Sequence, residues 1–478
     1  MNPKKVDVVI VGGGISGLCA AHWLAKRGVD VLLLEKDAEV GGTMKTVREQ
    51  GYLVETGPNS ALETTSLFRE LVTDLSLESE FLYANPSGKK RYVLREGQLR
   101  ALPLSPPAFL TSRLFSAKAK LRVLKEPFIG RATHEESIAE FVIRRLGREF
   151  LDYAIDPFVA GVYAARPEHL SVQAAFPKLY ALEERYGGLV RGMIKGRKER
   201  TKRGEKGKDR AETFSFRHGM QVLPLALAQS LGDRVICRSK VTLVQDLTLD
   251  TTIPVDEPGA RHFRVEFLLG DQSSEVEADV VILAVPTAAA ASLIQPFSRE
   301  TAQDLRNIHY PPVASVFLGY AQDQIGHSLD GFGFLVPSKE SRSILGSLWS
   351  SSLFPERAPR GYAGLTTFVG GSRQPELVEK SEGVLIDLVA GELETAMQVR
   401  GKPVYWKVTK WPRAIPQYEL GYLRTMDGLG RFEEEHPGLF LSGNYRGGIS
   451  VGDCVTNASA MAERVGKYLS LPAVRSIA

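Results

Sequence analysis

Residues 6–36 read VDVVIVGGGISGLCAAHWLAKRGVDVLLLEK, a pattern of strand, glycine-rich turn, helix and second strand. Gly12, Gly14 and Gly17 form the motif GxGxxG directly after the first strand. In this motif the first glycine allows a tight turn, the second lets the backbone approach a pyrophosphate, and the third lets the helix pack on the strand. The stretch predicts an α/β fold built around a Rossmann-like dinucleotide-binding unit.

The residues around this motif support the same interpretation. Ile15 and Ser16 begin the helix, where free N–H groups and the positive end of the helix dipole can bind phosphate. Glu35 ends the second strand 18 residues after Gly17, and a carboxylate there can accept hydrogen bonds from a ribose. Lys36 follows it. A glycine turn alone would be weak evidence, but here the strand, the helix and the acid are all in place, and the acid argues against a 2′-phosphate.

Composition limits the other classes of function. The chain has 478 residues, which suggests two or three domains, and a formal charge of only +4, which gives no reason to expect nucleic acid binding. Cys19, Cys237 and Cys454 lie far apart in the sequence, so neither a disulfide framework nor a metal site is expected. This cysteine usage is typical of a reducing compartment, and we expect a cytoplasmic location. The apolar run 6–11 is too short for a signal peptide, and nowhere do 18 apolar residues run together, so no transmembrane helix is expected.

The continuation of the chain is typical of flavoproteins. Residues 39–46, EVGGTMKT, resemble the flavin amine oxidase and desaturase superfamily, in which a GG doublet borders the FAD phosphates. The resemblance implies non-covalent FAD, with Gly41, Gly42 and Thr43 among its contacts. Thr43 stands where the superfamily usually has arginine. The resemblance continues at 51–58 (GYLVETGP), 216–220 (FRHGM) and 278–286 (ADVVILAVP), and it implies further cofactor contacts at Gly57, Pro58, Asn59 and, through its backbone, Val241.

The C-terminal stretch has the same pattern of elements as the N-terminal site. Residues 439–458, LFLSGNYRGGISVGDCVTNA, predict a strand, a glycine-rich turn and a helix from about Asp453 to Tyr468. The N-terminus of that helix would face the ribityl chain or the isoalloxazine ring. Candidate contacts there are Gly443, Ile449, Ser450 and Val451. Two such turns at opposite ends of the chain, with the intervening motifs in order, indicate that both ends fold together around one flavin.

Over essentially the whole chain, the sequence is similar to the protoporphyrinogen oxidase family. The motifs that carry this resemblance are 57–60 (GPNS), 90–93 (KRYV), 156–164 (DPFVAGVYA), 331–337 (GFGFLVP), 350–355 (SSSLFP) and 366–371 (TTFVGG). It implies six-electron oxidation of a porphyrinogen in heme biosynthesis, in three flavin cycles, with molecular oxygen as acceptor. By the same resemblance Arg91 would bind a substrate propionate, Leu335, Leu348 and Phe368 would pack on the tetrapyrrole, and Ala164 would line the pocket.

Several alternatives stay open. Arg91 follows Lys89 and Lys90, and a basic trio is more often solvated surface; apolar strand residues are more often plain core. An amine oxidase or carotenoid-type desaturase would share the fold, as would a non-catalytic escort-type relative. Amine oxidases usually carry a lysine near flavin N5, and strand 312–320 (PVASVFLGY) has none, so no acid–base residue is assigned. Protoporphyrinogen and coproporphyrinogen are not distinguished.

The expected domains are discontinuous. Residues 1–85, 211–295 and 400–478 are predicted to form the FAD-binding domain, and 86–104 and 296–399 a mixed-sheet substrate domain. Residues 105–210 are predicted to be a helical domain. Within it, Phe109, Leu110, Leu114 and Phe115 suggest peripheral membrane contact as an open alternative. Residues 191–210, with ten basic and three acidic residues, are predicted to be a solvated loop. A homodimer also stays open.

Overall fold

The computed structural model describes residues 4–192, 194–195, 211–247 and 262–469. The strands run in chain order as β1 (Lys4–Val11), β2 (Val31–Leu34), β3 (Thr46–Glu49), β4 (Tyr52–Glu55), β5 (Ala61–Leu62), β6 (Phe81–Tyr83), β7 (Tyr92–Arg95), β8 (Gln98–Ala101), β9 (Thr213–Phe216), β10 (Val235–Ile236), β11 (Ser239–Asp246), β12 (Phe263–Leu269), β13 (Gln272–Leu283), β14 (Val313–Ala321), β15 (Gly333–Leu335), β16 (Ile344–Leu348), β17 (Tyr362–Gly370), β18 (Tyr405–Trp411) and β19 (Leu439–Leu441).

The α-helices are α1 (Ile15–Lys26), α2 (Leu67–Asp74), α3 (Pro106–Thr111), α4 (Ala117–Leu124), α5 (Ile138–Arg145), α6 (Arg148–Phe150), α7 (Asp156–Tyr163), α8 (Val172–Ala175), α9 (Pro177–Tyr186), α10 (Val222–Leu231), α11 (Thr287–Ile294), α12 (Arg299–Asn307), α13 (Ser350–Leu353), α14 (Glu382–Met397), α15 (Tyr422–Glu435) and α16 (Val451–Tyr468). The last of these begins two residues before the predicted start at Asp453. None of the helices in the described ranges is both long enough and apolar enough to cross a membrane.

The first large sheet brings together three distant parts of the chain. Its strand order is β10-β2-β1-β13-β12-β11, and β19 pairs with β13. β1 lies parallel to both β2 and β13, and β13 lies parallel to β19. All residues of β2, and most of β1, are buried, as expected for parallel strands covered on both faces. The predicted α/β fold with a Rossmann-like unit is confirmed, and Val241 lies in β11 as expected.

Two helices, one from each end of the chain, cover one face of this sheet. The contact between α1 and α16 is extensive, and Leu18, Val455 and Ala458 belong to the apolar core there. Gly17 is what allows α1 to cross so close to the preceding turn. A Cβ atom at Gly17 would lie 2.1 Å from the Gly12 carbonyl oxygen. Close packing of helix against strand is the role expected for the third glycine of the motif.

The second large sheet has the order β18-β14-β17-β16-β15-β7-β8. One face is covered by α14, whose Leu385, Val389 and Leu393 pack with Val316 and Phe334 of the sheet. β18 belongs to this sheet, although the predicted boundaries assign residues 400–478 to the FAD-binding domain. The division into three domains otherwise stays a prediction.

The helical part of the chain differs in detail from expectation. The helical stretch expected over 136–151 is broken at Gly147, which adopts a φ of +96° between α5 and α6. Residues 191, 192, 194 and 195 are helical, so the prediction of a loop from 191 onward was wrong there, and residues 196–210 lie outside the described residues.

The four apolar residues considered for membrane contact do not form one exposed surface. Leu114 and Phe115 are buried, and they form a small core with Val93, Ala119 and Tyr153. Phe109 is partly buried against the same core, and only Leu110 is largely exposed. The apolar content of this stretch therefore mostly fills the protein interior.

Candidate functional site

Two glycine turns lie against each other at the end of β1. The Gly41 N–H donates a hydrogen bond to the Gly13 carbonyl at 2.8 Å, and a Cβ atom at Gly42 would lie 3.4 Å from the Gly14 Cα. At Gly14, the residue before α1, a Cβ would meet no described atom within 4 Å. The two predicted phosphate-binding turns are therefore adjacent, with open space in front of Gly14 and of the N-terminus of α1.

Glu35 lies beside this turn as a buried carboxylate. Its side chain accepts hydrogen bonds from the Gly13 N–H at 2.6 Å and from the Asp37 N–H at 2.8 Å. The Glu35 carbonyl accepts a hydrogen bond from the Ser239 N–H at 2.7 Å. Ser239 is the first residue of β11, so the strand that contains Val241 begins beside Glu35. Lys36 behaves differently, because its exposed ammonium pairs with Asp37 at 2.7 Å instead of reaching the turn.

The C-terminal turn joins the same region. Ser450 caps α16, with its hydroxyl accepting from the Asp453 N–H and the Asp453 carboxylate accepting from Ser450 in return. The Ser16 hydroxyl, at the start of α1, contacts the Cys454 thiol in the first turn of α16. The N-terminal ends of α1 and α16 therefore meet, as required if both face one ligand.

The segment 57–59 completes this arrangement. A Cβ at Gly57 would lie 2.0 Å from the Thr43 carbonyl oxygen, so Gly57 and Thr43 are in direct backbone contact. The Asn59 amide donates to the Gly57 carbonyl at 3.2 Å. Ile449 and Val451 flank Ser450 in the C-terminal turn. The structure thus brings most predicted cofactor residues together, and their contacts with FAD stay a prediction.

The cysteines near the site are poor candidates for a covalent bond to a cofactor. Burial raises the pKa of Cys454 to about 11, and it also raises the pKa of Cys19, which neighbours Cys454. Both thiols therefore stay protonated at neutral pH, whereas the thiolate is the reactive form.

The open face of the second sheet carries the predicted substrate residues. Leu335 pairs with Gly346, and Gly346 pairs with Phe368, so Leu335 and Phe368 lie in one row with a glycine between them. In the next row Leu348 lies between Gly333 and Thr366. Because side chains alternate along strands, Leu335, Leu348 and Phe368 share the face opposite α14. We call this surface of Leu335, Leu348 and Phe368 the apolar face.

Arg91 lies on the same side of the sheet. It directly precedes Tyr92, which pairs in parallel with Phe334, and Gly333 directly precedes Phe334. Arg91 is therefore beside Gly333, in the row of Leu348 and two strands away from it. With neighbouring strands about 4.8 Å apart, Arg91 and Leu348 are separated by about 10 Å.

Helix α7 forms a wall beside the apolar face. A Cβ at Gly161 would lie 2.5 Å from the Leu335 Cδ2 atom, so this glycine allows the helix to approach. Ala164 ends α7 in a left-handed conformation with a φ of +52°, and its carbonyl accepts from the Ser372 N–H at 2.7 Å. Ala164 and Phe368 belong to one small apolar cluster. All five predicted substrate residues are thus gathered around one surface.

The apolar face borders the cofactor loops. The Trp411 indole N–H donates to the Thr56 carbonyl at 2.7 Å, next to Gly57. Asn59 lines a small cavity together with Ser350, and the Ser350 and Thr366 hydroxyl oxygens lie 2.8 Å apart. Thr366 follows Leu348 in its row, so the two halves of the site meet at Asn59.

The electrostatic environment of Arg91 differs from that of its basic neighbours. Its guanidinium lies 4.9 Å from the centre of the Phe332 ring, and burial lowers its pKa. Within the described residues no ion pair with an acid is observed for it. Lys90 instead binds Asp330 at 2.5 Å, and the Tyr92 hydroxyl donates to the same carboxylate at 2.6 Å. Arg91 is half-buried, so it is not part of a solvated basic surface.

Three residues around the site were missed by sequence reasoning. Phe332 and Gly161 lie inside the quoted motifs 331–337 and 156–164, and the glycine-flanked aromatic could have been noted. Asp330 acts through contacts with Lys90 and Tyr92, which are far away in sequence, and no local pattern reveals them.

A model of the family described as flavin containing amine oxidoreductase matches residues 15–466 of the chain. The chain belongs to this family. It is an enzyme, an oxidoreductase with FAD as its cofactor. The oxidoreductase fits that cofactor on its own geometry, because the space in front of Gly14 and α1 suits a pyrophosphate, and the buried Glu35 lies where a ribose would follow.

Named relatives match the oxidoreductase along nearly its whole length. Protoporphyrinogen oxidase 2 of Arabidopsis thaliana is 34% identical over 97% of this chain and 94% of its own length. Coproporphyrinogen III oxidase of Bacillus subtilis is 29% identical over 98% of this chain and 100% of its own length. A protein of Exiguobacterium sp. 255-15, provisionally named a protoporphyrinogen oxidase, has a crystal structure that superposes with a TM-score of 0.78 at 23% identity, covering 98% of this chain and 100% of its own. The last likeness shows the fold.

Proposed function

We propose that the protein oxidises a porphyrinogen to the porphyrin, removing six hydrogens in three two-electron cycles. The observation that carries this proposal is the position of Arg91. It is a half-buried guanidinium with no acidic partner among the described residues, on the same side of the sheet as the half-buried Leu335, Leu348 and Phe368. The names of the relatives, protoporphyrinogen and coproporphyrinogen oxidases, support it.

This surface suits a large apolar ring that carries carboxylates at its edge. Leu335, Leu348 and Phe368 offer contact to a ring face, and aromatic contact adds about 0.5–1.5 kcal/mol beyond area burial. Arg91 can bind one propionate through two parallel hydrogen bonds, which fixes orientation as well as charge. Leaving Arg91 half-buried and unpaired is costly without a ligand, and a carboxylate offsets that cost.

The residues of the chain position the substrate and exclude water. Bound FAD supplies the acceptor for two electrons and the hydrogens of each cycle. β14 contains no lysine, in contrast to the amine oxidases, so no side-chain base is assigned on that strand. We further propose oxygen as the final acceptor, so that one porphyrinogen and three molecules of oxygen give one porphyrin and three of hydrogen peroxide.

The test is a direct assay of the FAD-loaded protein on protoporphyrinogen IX, coproporphyrinogen III and a panel of primary amines. We expect porphyrin fluorescence to rise with one or both porphyrinogens and oxygen to be consumed at three molecules per porphyrin. Amine oxidation without porphyrin formation would overturn the proposal. Porphyrin formation that continues at the same rate without oxygen would overturn the choice of acceptor alone.

We also propose that the segment around α4 touches a membrane surface. Leu121 and Leu124 on α4 are 64% and 68% exposed, and Phe128 in the following turn is 86% exposed. Lys118 and Lys125 are exposed beside them, and each cation near anionic lipid contributes about 1 kcal/mol to membrane binding.

A vesicle assay tests this contact. Replacing the three apolar residues by serine should reduce sedimentation of the protein with phosphatidylserine vesicles. The matched control replaces Val404, which directly precedes β18 and is 50% exposed, and Trp406 on β18, which is 51% exposed. Equal binding by both variants would overturn this contact.

A further inference from the structure

The glycine-rich turn before α16 is closed by one buried side chain from another part of the chain. The Tyr418 hydroxyl donates a hydrogen bond to the Asn444 carbonyl at 2.7 Å and accepts one from the Gly448 N–H at 3.0 Å. One oxygen atom therefore connects both ends of the loop 443–450. This loop carries Gly443, Ile449 and Ser450, three of the predicted cofactor contacts.

The surroundings hold Tyr418 in a fixed orientation. Its ring stacks on Tyr422 with 4.3 Å between centroids, and the Tyr163 ring packs edge-on with 6.0 Å between centroids. Its carbonyl accepts from the Ser171 N–H at 2.9 Å. Tyr418 is 2% exposed, and burial keeps its pKa well above the usual range, so the hydroxyl remains protonated and able to donate.

The loop needs such support because its backbone is intrinsically free. Gly447 and Gly448 adopt φ values of +76° and +128°, which glycine reaches readily but which leave many alternative conformations open. A loop that is ordered before the ligand arrives binds it more tightly, because the cost of ordering is already met. The neighbouring Tyr422 hydroxyl also donates to the Tyr445 carbonyl inside the loop.

We propose that Tyr418 is a positioning residue for the cofactor, which holds the loop 443–450 in the conformation that receives FAD. It acts through the two loop hydrogen bonds and touches neither substrate nor reacting atoms. The proposal rests on the flavin cofactor of the family and not on the porphyrinogen. Failure of porphyrinogen oxidation would therefore leave it intact, and its own failure would leave the proposed substrate intact.

The test compares Tyr418→Phe with Tyr163→Phe. Both variants lose one buried hydroxyl from the same aromatic group, but the Tyr163 hydroxyl donates to the Ala175 carbonyl at 3.0 Å, outside the loop. Apoprotein of each is titrated with FAD, following flavin fluorescence, and its melting temperature is measured without FAD. We expect Tyr418→Phe to raise the FAD dissociation constant about 5- to 100-fold, the range for losing a buried hydrogen-bonded group, and to release FAD faster. Tyr163→Phe should stay within about twofold of the unmodified protein.

Two results would overturn the proposal. One is an unchanged FAD dissociation constant in Tyr418→Phe. The other is an equal loss in both variants that follows their melting temperatures, which would mean a general packing role. If Tyr418→Phe does not fold, hydrogen exchange in the unmodified apoprotein decides. The Gly448 amide should exchange slowly, because Tyr418 accepts from it, and fast exchange there would refute the proposal.

Discussion

The Lys90 ammonium lies 2.5 Å from the Asp330 carboxylate, and this ion pair leaves Arg91, the next residue, as the cation available to the apolar face. Asp330 also accepts from the Tyr92 hydroxyl, and hydrogen bonds from Lys90 and Tyr92 hold its pKa far below the usual range. The Asp330 carboxylate is therefore already bound by Lys90 and Tyr92. A substrate carboxylate would meet Arg91 without competition from Asp330.

Replacing Arg91 should weaken substrate binding and leave the cofactor in place. Arg91→Ala should raise KM for the porphyrinogen about tenfold to a hundredfold, the range for a charge-assisted hydrogen bond. Arg91→Lys should restore only part of the substrate affinity, because an ammonium cannot bind a carboxylate through two parallel hydrogen bonds as a planar guanidinium does. Steady-state kinetics with porphyrin fluorescence, with FAD content read from absorbance, measure both effects. Lys89→Ala is the matched control, since Lys89 is an exposed cation of the same trio and its loss leaves the Lys90–Asp330 pair intact. Wild-type KM in Arg91→Ala would mean that Arg91 does not bind substrate.

One substitution at two glycines of the first motif should separate cofactor binding from folding. At Gly14 a methyl group meets no described atom and the φ of −73° suits any residue, so Gly14→Ala should fold normally. The methyl would, however, occupy the space expected for pyrophosphate, and the purified protein should carry little FAD. At Gly17 the same methyl would lie 2.1 Å from a backbone oxygen, so Gly17→Ala should lower the melting temperature even of the apoprotein. Normal FAD content in Gly14→Ala would argue against the predicted pyrophosphate position.

Glu35 should contribute to FAD affinity both directly and through the turn. Its carboxylate holds the Gly13 and Asp37 N–H groups, so its removal loosens the glycine turn as well as the ribose contact. Glu35→Ala should weaken FAD binding by about 1–3 kcal/mol, which calorimetric titration of the apoprotein with FAD would measure. Asp37→Ala removes only an exposed pair with Lys36 and should cost less than about 1 kcal/mol. Equal affinities of the two variants would contradict this assignment.

The parts of the fold that the sequence predicted are those encoded locally. The turn at Gly12–Gly14, the strand before Glu35 and the helix predicted from about Asp453 each depend on neighbours within a few dozen residues. The helix expected over 136–151 was too long because Gly147 breaks it with a positive φ, which no apolar periodicity reveals. Residues 191, 192, 194 and 195 were predicted to be loop because they begin the stretch 191–210, whose charge density is typical of a solvated segment.

The substrate half of the site could be predicted only by family resemblance. Leu335, Leu348 and Phe368 look like ordinary strand residues, and their common face follows from the register of β15, β16 and β17. The pairing of Lys90 with Asp330 spans 240 positions of sequence, and Tyr418 reaches Gly448 across 30. Such contacts are set by tertiary packing, so the sequence named Arg91 without saying why it differs from Lys90.

Glu55 should make the stability of the protein fall between about pH 5 and pH 8. This carboxyl is buried at the end of β4, where it accepts from the Thr46 hydroxyl at 2.7 Å and the Met220 N–H at 2.9 Å. Burial outweighs these bonds and the Arg357 guanidinium, 3.9 Å away, and raises the pKa of Glu55 from 4.5 to about 7. The folded state therefore holds the proton more tightly than the unfolded chain, and the resulting stability is lost as the pH rises through 7.

The comparison of Glu55→Gln with the unmodified holoprotein isolates this effect. Glutamine mimics the protonated carboxyl at every pH, so the variant does not lose this stability as the pH rises. Between pH 5 and pH 8 its free energy of unfolding should therefore rise by about 2–3 kcal/mol relative to that of the unmodified protein, since each pKa unit corresponds to about 1.4 kcal/mol. Urea unfolding at several pH values, with FAD held at a fixed excess, measures the difference. Glu394→Gln, at an exposed carboxylate on α14, provides the control, and its free energy of unfolding should change with pH in parallel with that of the unmodified protein. If Glu55→Gln also ran parallel, Glu55 would be ionised at pH 5 already, and the 3.9 Å approach of Arg357 would outweigh burial.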